Sequence, residues 1–277
     1  MEWNGAVEKD RLMSQDAPQL QSRLEFALEA SLSAAELILR HFRSDDLQVQ
    51  FKSDNSPVTL ADRGAEELLR AAIMSEFPGD GILGEELGTL ESTTGYRWIL
   101  DPIDGTKAFV HGVEQFGTLI GMQYQERTVL GVCRFPALDE VLYAVQGQGT
   151  WRRIRGAEPV RCHVSATHQL SEALFCYTEI DSWSDVDCLD RLQRMCAAVR
   201  VSRGWGDCYG HAMVASGRAD VMIDPIMSPW DAAALLPIMQ EAGGHFIGWN
   251  GHACIDAGNG ISVNGFLKDA VFNVLGE

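Results

Sequence analysis

The sequence has few of the features that mark membrane-bound, secreted or metal-stapled proteins. No uninterrupted apolar run approaches the roughly 18 residues that a bilayer-spanning helix needs. The first residues mix acidic and basic side chains without an apolar core segment, so they do not form a secretory signal. The seven cysteines are dispersed without a C-x-x-C pair, which is typical of reduced thiols and disfavours a structural zinc site. These absences predict a soluble, cytoplasmic protein.

Positive charge is also scarce. Twenty-two basic residues face 39 acidic ones, and the formal net charge is −17. Such a surface repels nucleic-acid phosphates and anionic lipids, so neither is an expected partner. An anionic substrate would need local positive charge from a bound metal or from helix N-termini. The alternative is that the excess acid only keeps the protein in solution.

The 277 residues, 46% of them apolar, can bury one large core or two. Apolar residues at helical spacing come first, a run of alternating strands follows, and helices alternate with strands in the C-terminal part. That order predicts a layered α+β or α/β architecture. We predict a polar N-terminal extension over 1–19, an N-terminal α+β half over 20–155 and a C-terminal α/β half over 156–277, with both halves forming one continuous unit.

Periodicity and turn residues predict the individual elements. Apolar residues recur at helical spacing in a helix over 20–42, at Leu24, Leu28, Leu32, Ala35 and Leu39. Thr59 is expected to N-cap a second helix. A strand over 97–100 is expected to end at Asp101, because a proline follows it. The other predicted strands are 47–51, 82–83, 118–122, 129–135, 141–145, 173–177, 199–202, 220–223, 245–247 and 261–263. The other predicted helices are 187–198, 207–216, 230–242 and 265–275.

The segment from Asp101 to Thr106 holds two carboxylates three residues apart, so a tight turn can aim both at one point. Converging oxygens of this kind suit a hard cation such as Mg²⁺. Gly105 and Thr106 can begin a helix whose free N–H groups hold a phosphate. The alternative is that Asp101 starts a β-turn and Asp104 N-caps a helix without any ligand.

Three further acids are candidates for the same site. Glu85 and Glu86 are adjacent, so on a strand they point apart and only one can join; we choose Glu85. Asp231 opens a helix, where the alternative is a simple partner for the helix dipole. Asp62 lies in the first turns of a helix and has the same alternative.

These motifs, in this order and spacing, resemble the inositol monophosphatase-type, lithium-sensitive, metal-dependent phosphatases from about residue 24 to the end. The resemblance implies an αβαβα sandwich, a magnesium-dependent phosphatase site between the two halves, and a homodimer. The matching residues are Asp54, Pro57-Val58-Thr59, Ala61-Asp62, Gly84-Glu85-Glu86, Trp98 through Thr106, Trp230-Asp231 and Glu241-Ala242-Gly243-Gly244.

The resemblance also implies roles for single residues. Glu85, Asp101 and the carbonyl of Ile103 would hold a first Mg²⁺. Asp101, Asp104 and Asp231 would hold a second, so that Asp101 bridges the two ions. Glu85 would also help to hold a weak third Mg²⁺ through waters.

Other family roles concern water and phosphate. Thr106, positioned by Asp62, would orient the attacking water, and the amides of Gly105 and Thr106 would hold the phosphate. Two metal ions can clamp the attacking and leaving oxygens of an in-line displacement, so the protein mainly supplies positioning and electrostatics. No histidine nucleophile is required, and His111 is expected to be structural or at the rim.

The substrate is suggested by positions where the sequence departs from the inositol branch. Lys107 and the segments 116–121, 203–210 and 220–231 are similar to the histidinol-phosphate phosphatase branch. Lys107 is also common in the 3′-phosphoadenosine 5′-phosphate branch.

Histidinol phosphate carries an ammonium group and an imidazole. Asp224 or Asp207 could pair with the ammonium, and Trp205 could stack on the ring. The alternatives are that Trp205 packs against Tyr209 within a helix and that Asp207 is an N-cap.

We therefore predict a magnesium-dependent phosphomonoesterase that acts on L-histidinol phosphate. The alternative substrates for this protein are those of the two related branches, inositol 1-phosphate and 3′-phosphoadenosine 5′-phosphate. A phosphate- or metal-binding regulator and a purely structural protein are the non-enzymatic alternatives. The expected partners are a small phosphorylated metabolite and a second copy of the chain.

Overall fold

A computed structural model describes residues 4–44, 49–51 and 57–276 of the chain. The helices are α1 (Asn4–His41), α2 (Leu60–Glu76), α3 (Thr106–Val110), α4 (Ile180–Asp185), α5 (Leu189–Ala198), α6 (Asp207–Ala215), α7 (Pro229–Ala233), α8 (Leu235–Glu241) and α9 (Lys268–Leu275). The strands are β1 (Gln50–Phe51), β2 (Pro57–Val58), β3 (Gly81–Gly84), β4 (Gly88–Leu90), β5 (Tyr96–Asp104), β6 (Gly117–Tyr124), β7 (Arg127–Phe135), β8 (Glu140–Val145), β9 (Thr150–Ile154), β10 (Val160–Cys162), β11 (Leu174–Tyr177), β12 (Val201–Arg203), β13 (Val221–Asp224), β14 (Gly244–Ile247) and β15 (Gly260–Asn264).

The N-terminal half forms an eight-stranded sheet in the order β10-β9-β8-β7-β6-β5-β3-β4. The strands from β5 to β10 pair as an antiparallel meander, whereas β3 runs parallel to β5. Helices α1 and α2 cover the outer face of this sheet, where Ile38, Leu69 and Trp98 are fully buried.

The C-terminal half forms a five-stranded sheet in the order β12-β11-β13-β15-β14. Helices α4, α5 and α9 cover its outer face and bury Trp183, Leu192 and Val271 against the strands.

A middle layer of α6, α7 and α8 lies between the two sheets. Val214 and Ile238 from this layer share one buried cluster with Leu119 of the first sheet and Phe246 of the second. The layers therefore follow the order α, β, α, β, α, and the predicted sandwich is confirmed.

Helix α1 differs from its prediction in start and in face. It begins at Asn4 rather than at residue 20, so the stretch predicted as an extension is helical from Asn4 onward. Leu32 and Leu39, predicted for the apolar face, are 46% and 41% exposed, whereas Ala34 and Ile38 are buried. Two successive steps of four residues drift away from a helix turn of 3.6 residues and place Leu32 outside the buried face, whereas Ala35 is buried as predicted.

Several element boundaries also differ. The helix predicted over 230–242 is two helices, α7 and α8, which meet at Ala234. Strands β2, β4, β9 and β10 were not predicted, and β10 carries the first sheet to Cys162. Part of the strand predicted over 47–51 lies outside the described residues, and Asp54 also lies outside them. Within the described ranges, no helix combines the length and the apolar character that crossing a membrane requires.

Candidate active site

The two acids of β5 converge because of a break in the strand's register. Asp101 is paired with Leu119 of β6 and Asp104 with Gly117, so two residues of β5 stand opposite Thr118 alone. Without this bulge, residues three apart would point to opposite faces; with it, both acids point to the same face. The Thr118 hydroxyl donates a hydrogen bond to the Pro102 carbonyl at 2.9 Å and stabilises the bulge. The prediction that the strand ends at Asp101 was wrong, because the strand absorbs the proline in this irregularity.

Glu85 reaches the same edge from the neighbouring strand. In the parallel β3–β5 pair, Gly84 is level with Leu100, and the Glu85 N–H donates to the Leu100 carbonyl at 3.2 Å. Glu85 is therefore level with Asp101, and residues that are level in a parallel pair point to the same face. The two side chains also share a hydrogen bond.

Asp231 comes from the middle layer. It is the third residue of α7, and its Oδ2 accepts a hydrogen bond from the Ser228 N–H at 2.7 Å in a capping box. The helices reach the sheet closely at Gly131 of β7, where any Cβ would collide with the carbonyl of Ala234. Asp231 thus caps its helix, as the alternative held, and still faces the β5 acids.

The structure brings Asp101, Asp104 and Asp231 together: one carboxylate oxygen of each lies within 4.8 Å of the others. Asp101 is only 2% exposed, and its Oδ1 has no hydrogen-bond partner among the described residues. A buried acceptor without a donor is costly unless a cation fills its place. The cluster of oxygens therefore fits a hard divalent ion such as Mg²⁺.

Electrostatics favour the same conclusion. Burial, followed by the charges of neighbouring carboxylates, raises the pKa of Asp101 and of Asp104 well above the usual range. Burial also raises the pKa of Asp231 to about 7, and Glu85 contributes to the rise. Several buried acids can remain ionised together only if a cation balances them.

Asp104 is held by the C-terminal half rather than by its own helix. Gly105, in the left-handed conformation (φ 81°), is the N-cap of α3 and makes no side-chain capping bond. The Asp104 Oδ2 instead accepts a hydrogen bond from the Cys208 N–H at 2.5 Å, near the start of α6. The alternative in which Asp104 caps the following helix is therefore not what the structure shows.

Thr106 and Asp62 lie in different hydrogen-bond groups. The Thr106 hydroxyl donates to the Ile103 carbonyl at 2.9 Å. Asp62 is 1% exposed and accepts bonds from the Thr59 N–H at 2.8 Å and from the Thr59 hydroxyl at 2.6 Å. Burial raises the pKa of Asp62 to about 6, and the charges of the Glu85-Glu86 pair contribute. Its predicted role in positioning Thr106 stays a prediction.

A cavity of about 500 Å³ adjoins the acid cluster. Asp224 and Asp207 line it, whereas Trp205 packs against the inter-sheet core and is absent from the described lining. Gly206, not Asp207, is the N-cap of α6. The lining residues are Asp104, Lys107, Thr178, Glu179, Ser182, Asp185, Asp207, Cys208, Asp224, Ile226, Met227 and Asp231.

Asp224 is fixed within a buried network. The Thr178 hydroxyl donates to its Oδ1, and Nε2 of His211 lies 3.2 Å from its Oδ2. His211 is 1% exposed, and its Nδ1 lies 2.7 Å from the Ser262 hydroxyl. Thr178 also accepts a hydrogen bond from the Asp207 N–H at 2.8 Å, so the network joins both predicted substrate-binding acids.

Sequence reasoning missed Glu66, a fully buried acid of α2. Its Oε2 accepts from the Glu86 N–H at 2.7 Å, and its Oε1 accepts from the Leu87 N–H at 3.1 Å and from Nε of Arg70 at 2.7 Å. Glu66 thereby fixes the turn that follows Glu85. The Glu66–Arg70 spacing would be read as an ordinary exposed helix pair, so no sequence signal marks its burial.

The sequence of the chain is similar to those of known phosphatases. The model of the inositol monophosphatase family matches residues 19–273. The chain belongs to the inositol monophosphatase family. A histidinol-phosphatase from Chlorobaculum parvum is 44% identical over 92% of this chain and 96% of its own length. One from Mycobacterium tuberculosis is 36% identical over 91% and 97%. The predicted phosphatase family is thus confirmed.

Solved structures show the same fold. The extragenic suppressor protein suhB from Bartonella henselae superimposes with a TM-score of 0.82 at 28% identity, covering 92% of this chain and 98% of that one. Members of the inositol monophosphatase family depend on metal, which agrees with the converging carboxylates of the site.

Proposed function

We propose that the protein is a magnesium-dependent phosphatase that hydrolyses L-histidinol phosphate to L-histidinol and phosphate. The observation that carries the proposal is the convergence of Asp101, Asp104 and Asp231 at the head of an acid-lined cavity. The similarity to the two histidinol-phosphatases supports the choice of substrate.

Glu85, Asp101 and the Ile103 carbonyl would hold one Mg²⁺, and Asp101, Asp104 and Asp231 a second, with a third bound weakly beside Glu85. When bound, the ions supply positive charge that activates water and stabilises the phosphate and the leaving oxygen. The chain's own residues hold the carboxylates in place: the β5 bulge aims Asp101 and Asp104, and the capping box orients Asp231.

The remaining residues of the loop bind and orient. Thr106 would orient the attacking water, with Asp62 supporting it from α2, and the amides of Gly105 and Thr106 would hold the phosphate. The Thr106 hydroxyl already rests on the Ile103 carbonyl, so its oxygen has a defined position in the loop.

The acid-lined cavity favours a substrate whose alcohol part carries positive charge. The negative charges of Asp207 and Asp224 would draw an ammonium group into the cavity, whereas the carboxylates of the lining would repel a second phosphate group. The repulsion disfavours 3′-phosphoadenosine 5′-phosphate as a substrate. A neutral polyol phosphate would gain no comparable electrostatic attraction from these carboxylates. Trp205 stays a candidate for ring stacking only if it moves from its place against the inter-sheet core.

The test is phosphate release with Mg²⁺ or EDTA on L-histidinol phosphate, inositol 1-phosphate, fructose 1,6-bisphosphate and 3′-phosphoadenosine 5′-phosphate. We expect kcat/KM for histidinol phosphate to exceed the others by about 100-fold, or about 2.7 kcal/mol of transition-state discrimination. Equal or inositol-favouring rates would reject the substrate while keeping the metal-dependent reaction. No release from any substrate would favour the regulator.

The family resemblance carries three further proposals for the protein as a whole. They are a homodimer, inhibition by lithium and a cytoplasmic location. Sedimentation of the Mg²⁺-loaded protein and the lithium concentration that halves its activity would test the first two.

A further inference from the structure

An exposed ion pair joins the two halves of the protein at the cavity. The Lys107 Nζ donates hydrogen bonds to Oε1 and Oε2 of Glu179 at 2.6 and 2.8 Å. Lys107 lies on α3, three residues after Asp104, and Glu179 is the N-cap residue of α4. Both side chains line the cavity beside the acid cluster.

Lys107 and Glu179 neutralise each other at the cavity, and neither side chain takes part in the buried network around Asp224. Of the described residues that line the cavity, Lys107 is the one cation. Glu179 uses its carboxylate for Lys107, whereas both carboxylate oxygens of Asp224 are engaged inside the fold by Thr178 and His211. Glu179 can therefore change partner without breaking the buried network that holds Asp224.

The pair is also inexpensive to separate. The side chains of Lys107 and Glu179 are 62% and 37% exposed, so water screens their attraction. Exposed ion pairs of this kind contribute little to stability. Their position in the cavity therefore calls for an explanation other than holding the fold together.

We propose that a zwitterionic substrate replaces this ion pair with two new ones. Lys107 turns to the phosphate group of the substrate, and Glu179 turns to its ammonium group. This assignment rests on the proposed function and makes Lys107 and Glu179 residues that determine its specificity.

The exchange explains how an acid-lined cavity admits a phosphate ester. An ester without a cationic group would leave Glu179 unpaired beside the phosphate, whereas an amino-substituted ester satisfies both charges at once. The apolar part between the two charged groups would lie near Ile226, which is 52% exposed although it lines the cavity.

The test compares two substrates that differ only in the amino group: L-histidinol phosphate and 3-(imidazol-4-yl)propyl phosphate. The variants are Glu179→Gln and Lys107→Gln, and the matched control is Asp190→Asn, which removes the acid of an exposed ion pair on α5. Thermal unfolding of each variant checks that its fold is intact.

Glu179→Gln should raise KM about tenfold for histidinol phosphate and less than twofold for the deamino substrate, because only histidinol phosphate has an ammonium group that can pair with Glu179. Lys107→Gln should raise KM for both by similar factors. Asp190→Asn should change neither. Equal effects of Glu179→Gln on the two substrates, or no effect of Lys107→Gln, would overturn the inference.

The substrate preference of the wild-type protein distinguishes a failure of this inference from a failure of the proposed function. If it prefers histidinol phosphate over its deamino analogue and over inositol 1-phosphate, but Glu179→Gln leaves that preference intact, the function stands and the inference fails. If the wild type treats the aminated and deaminated substrates alike but prefers both to inositol 1-phosphate, only the inference is overturned. If it does not prefer histidinol phosphate to inositol 1-phosphate, the proposed substrate is overturned as well.

Discussion

Replacing Glu66 with glutamine tests whether a buried acid outside the metal cluster controls metal binding. The carboxylate of Glu66 accepts hydrogen bonds from two backbone N–H groups and from Arg70. A glutamine side chain has only one acceptor oxygen, and its NH₂ group would face donors. At least one of the three partly buried donors would then lose its acceptor.

The expected cost follows from those contacts. A buried donor without a partner costs about 1–3 kcal/mol, and the Arg70 side chain, 12% exposed, also loses its counter-charge. We therefore expect the free energy of unfolding to fall by about 2–4 kcal/mol. The turn after Glu85 would lose its support, and residues that support a metal ligand are typically worth 10- to 100-fold in metal affinity. The Kd for Mg²⁺ should rise at least about tenfold.

Urea denaturation in EDTA measures the first effect, and calorimetric titration with Mg²⁺ measures the second. Glu67→Gln is the matched control, because Glu67 is the next residue of α2 and is exposed. The control should change the free energy of unfolding by less than about 0.5 kcal/mol. If Glu66→Gln is destabilised but binds Mg²⁺ like the wild type, Glu66 supports the fold without positioning Glu85. If it behaves like Glu67→Gln, the reasoning is refuted.

Two further predictions concern the acids themselves. Asp104→Asn should lower kcat on the order of 100-fold or more, as measured by phosphate release. The variant should keep its fold, as measured by circular dichroism, because the amide oxygen can still accept the hydrogen bond from the Cys208 N–H. Without metal, stability should fall as the pH rises from about 4 to about 7. Burial raises the pKa of Asp62 from 3.8 to about 6 and that of Asp207 and Asp231 to about 7, so the folded state holds protons that the unfolded chain releases. For Asp62 alone the loss is about 3 kcal/mol, measurable by urea denaturation in EDTA across this pH range.

A specific experimental result would contradict each of these two predictions. An Asp104→Asn variant with nearly wild-type kcat would remove Asp104 from the metal site. For the pH prediction, Asp62→Asn should show a shallower fall than the wild type over the same range, and Mg²⁺ should flatten the wild-type curve. Parallel curves for wild type and Asp62→Asn would show that Asp62 is not the source.

The sequence could predict elements whose signals are local. Thr59 was expected to N-cap α2, and its hydroxyl accepts from the Ala61 N–H at 3.1 Å. The meander of β6 to β8 follows from alternating apolar runs between turns. The candidate metal-binding acids could be selected because their motifs occur together and in order, although each alone has an ordinary structural explanation.

What the sequence could not predict depends on contacts between distant segments. The bulge between Asp101 and Asp104 becomes visible only through the register of β6, which the sequence does not contain. Proline after Asp101 suggested that the strand ended there, because local preference cannot foresee the support from Thr118. Glu66 looks like a solvent-exposed helix residue until β3 and its turn cover it.

The hydrogen bond from the Cys208 N–H to Asp104 has a consequence for how the protein is made. A ribosome completes Glu85, Asp101 and Asp104 long before it reaches Cys208 and Asp231. During that interval the emerging chain would carry an incomplete set of the proposed metal ligands, with Asp104 lacking its anchor. We therefore expect stable loading of the proposed ion to wait until the middle layer has been translated and has docked, as one of the last steps of folding.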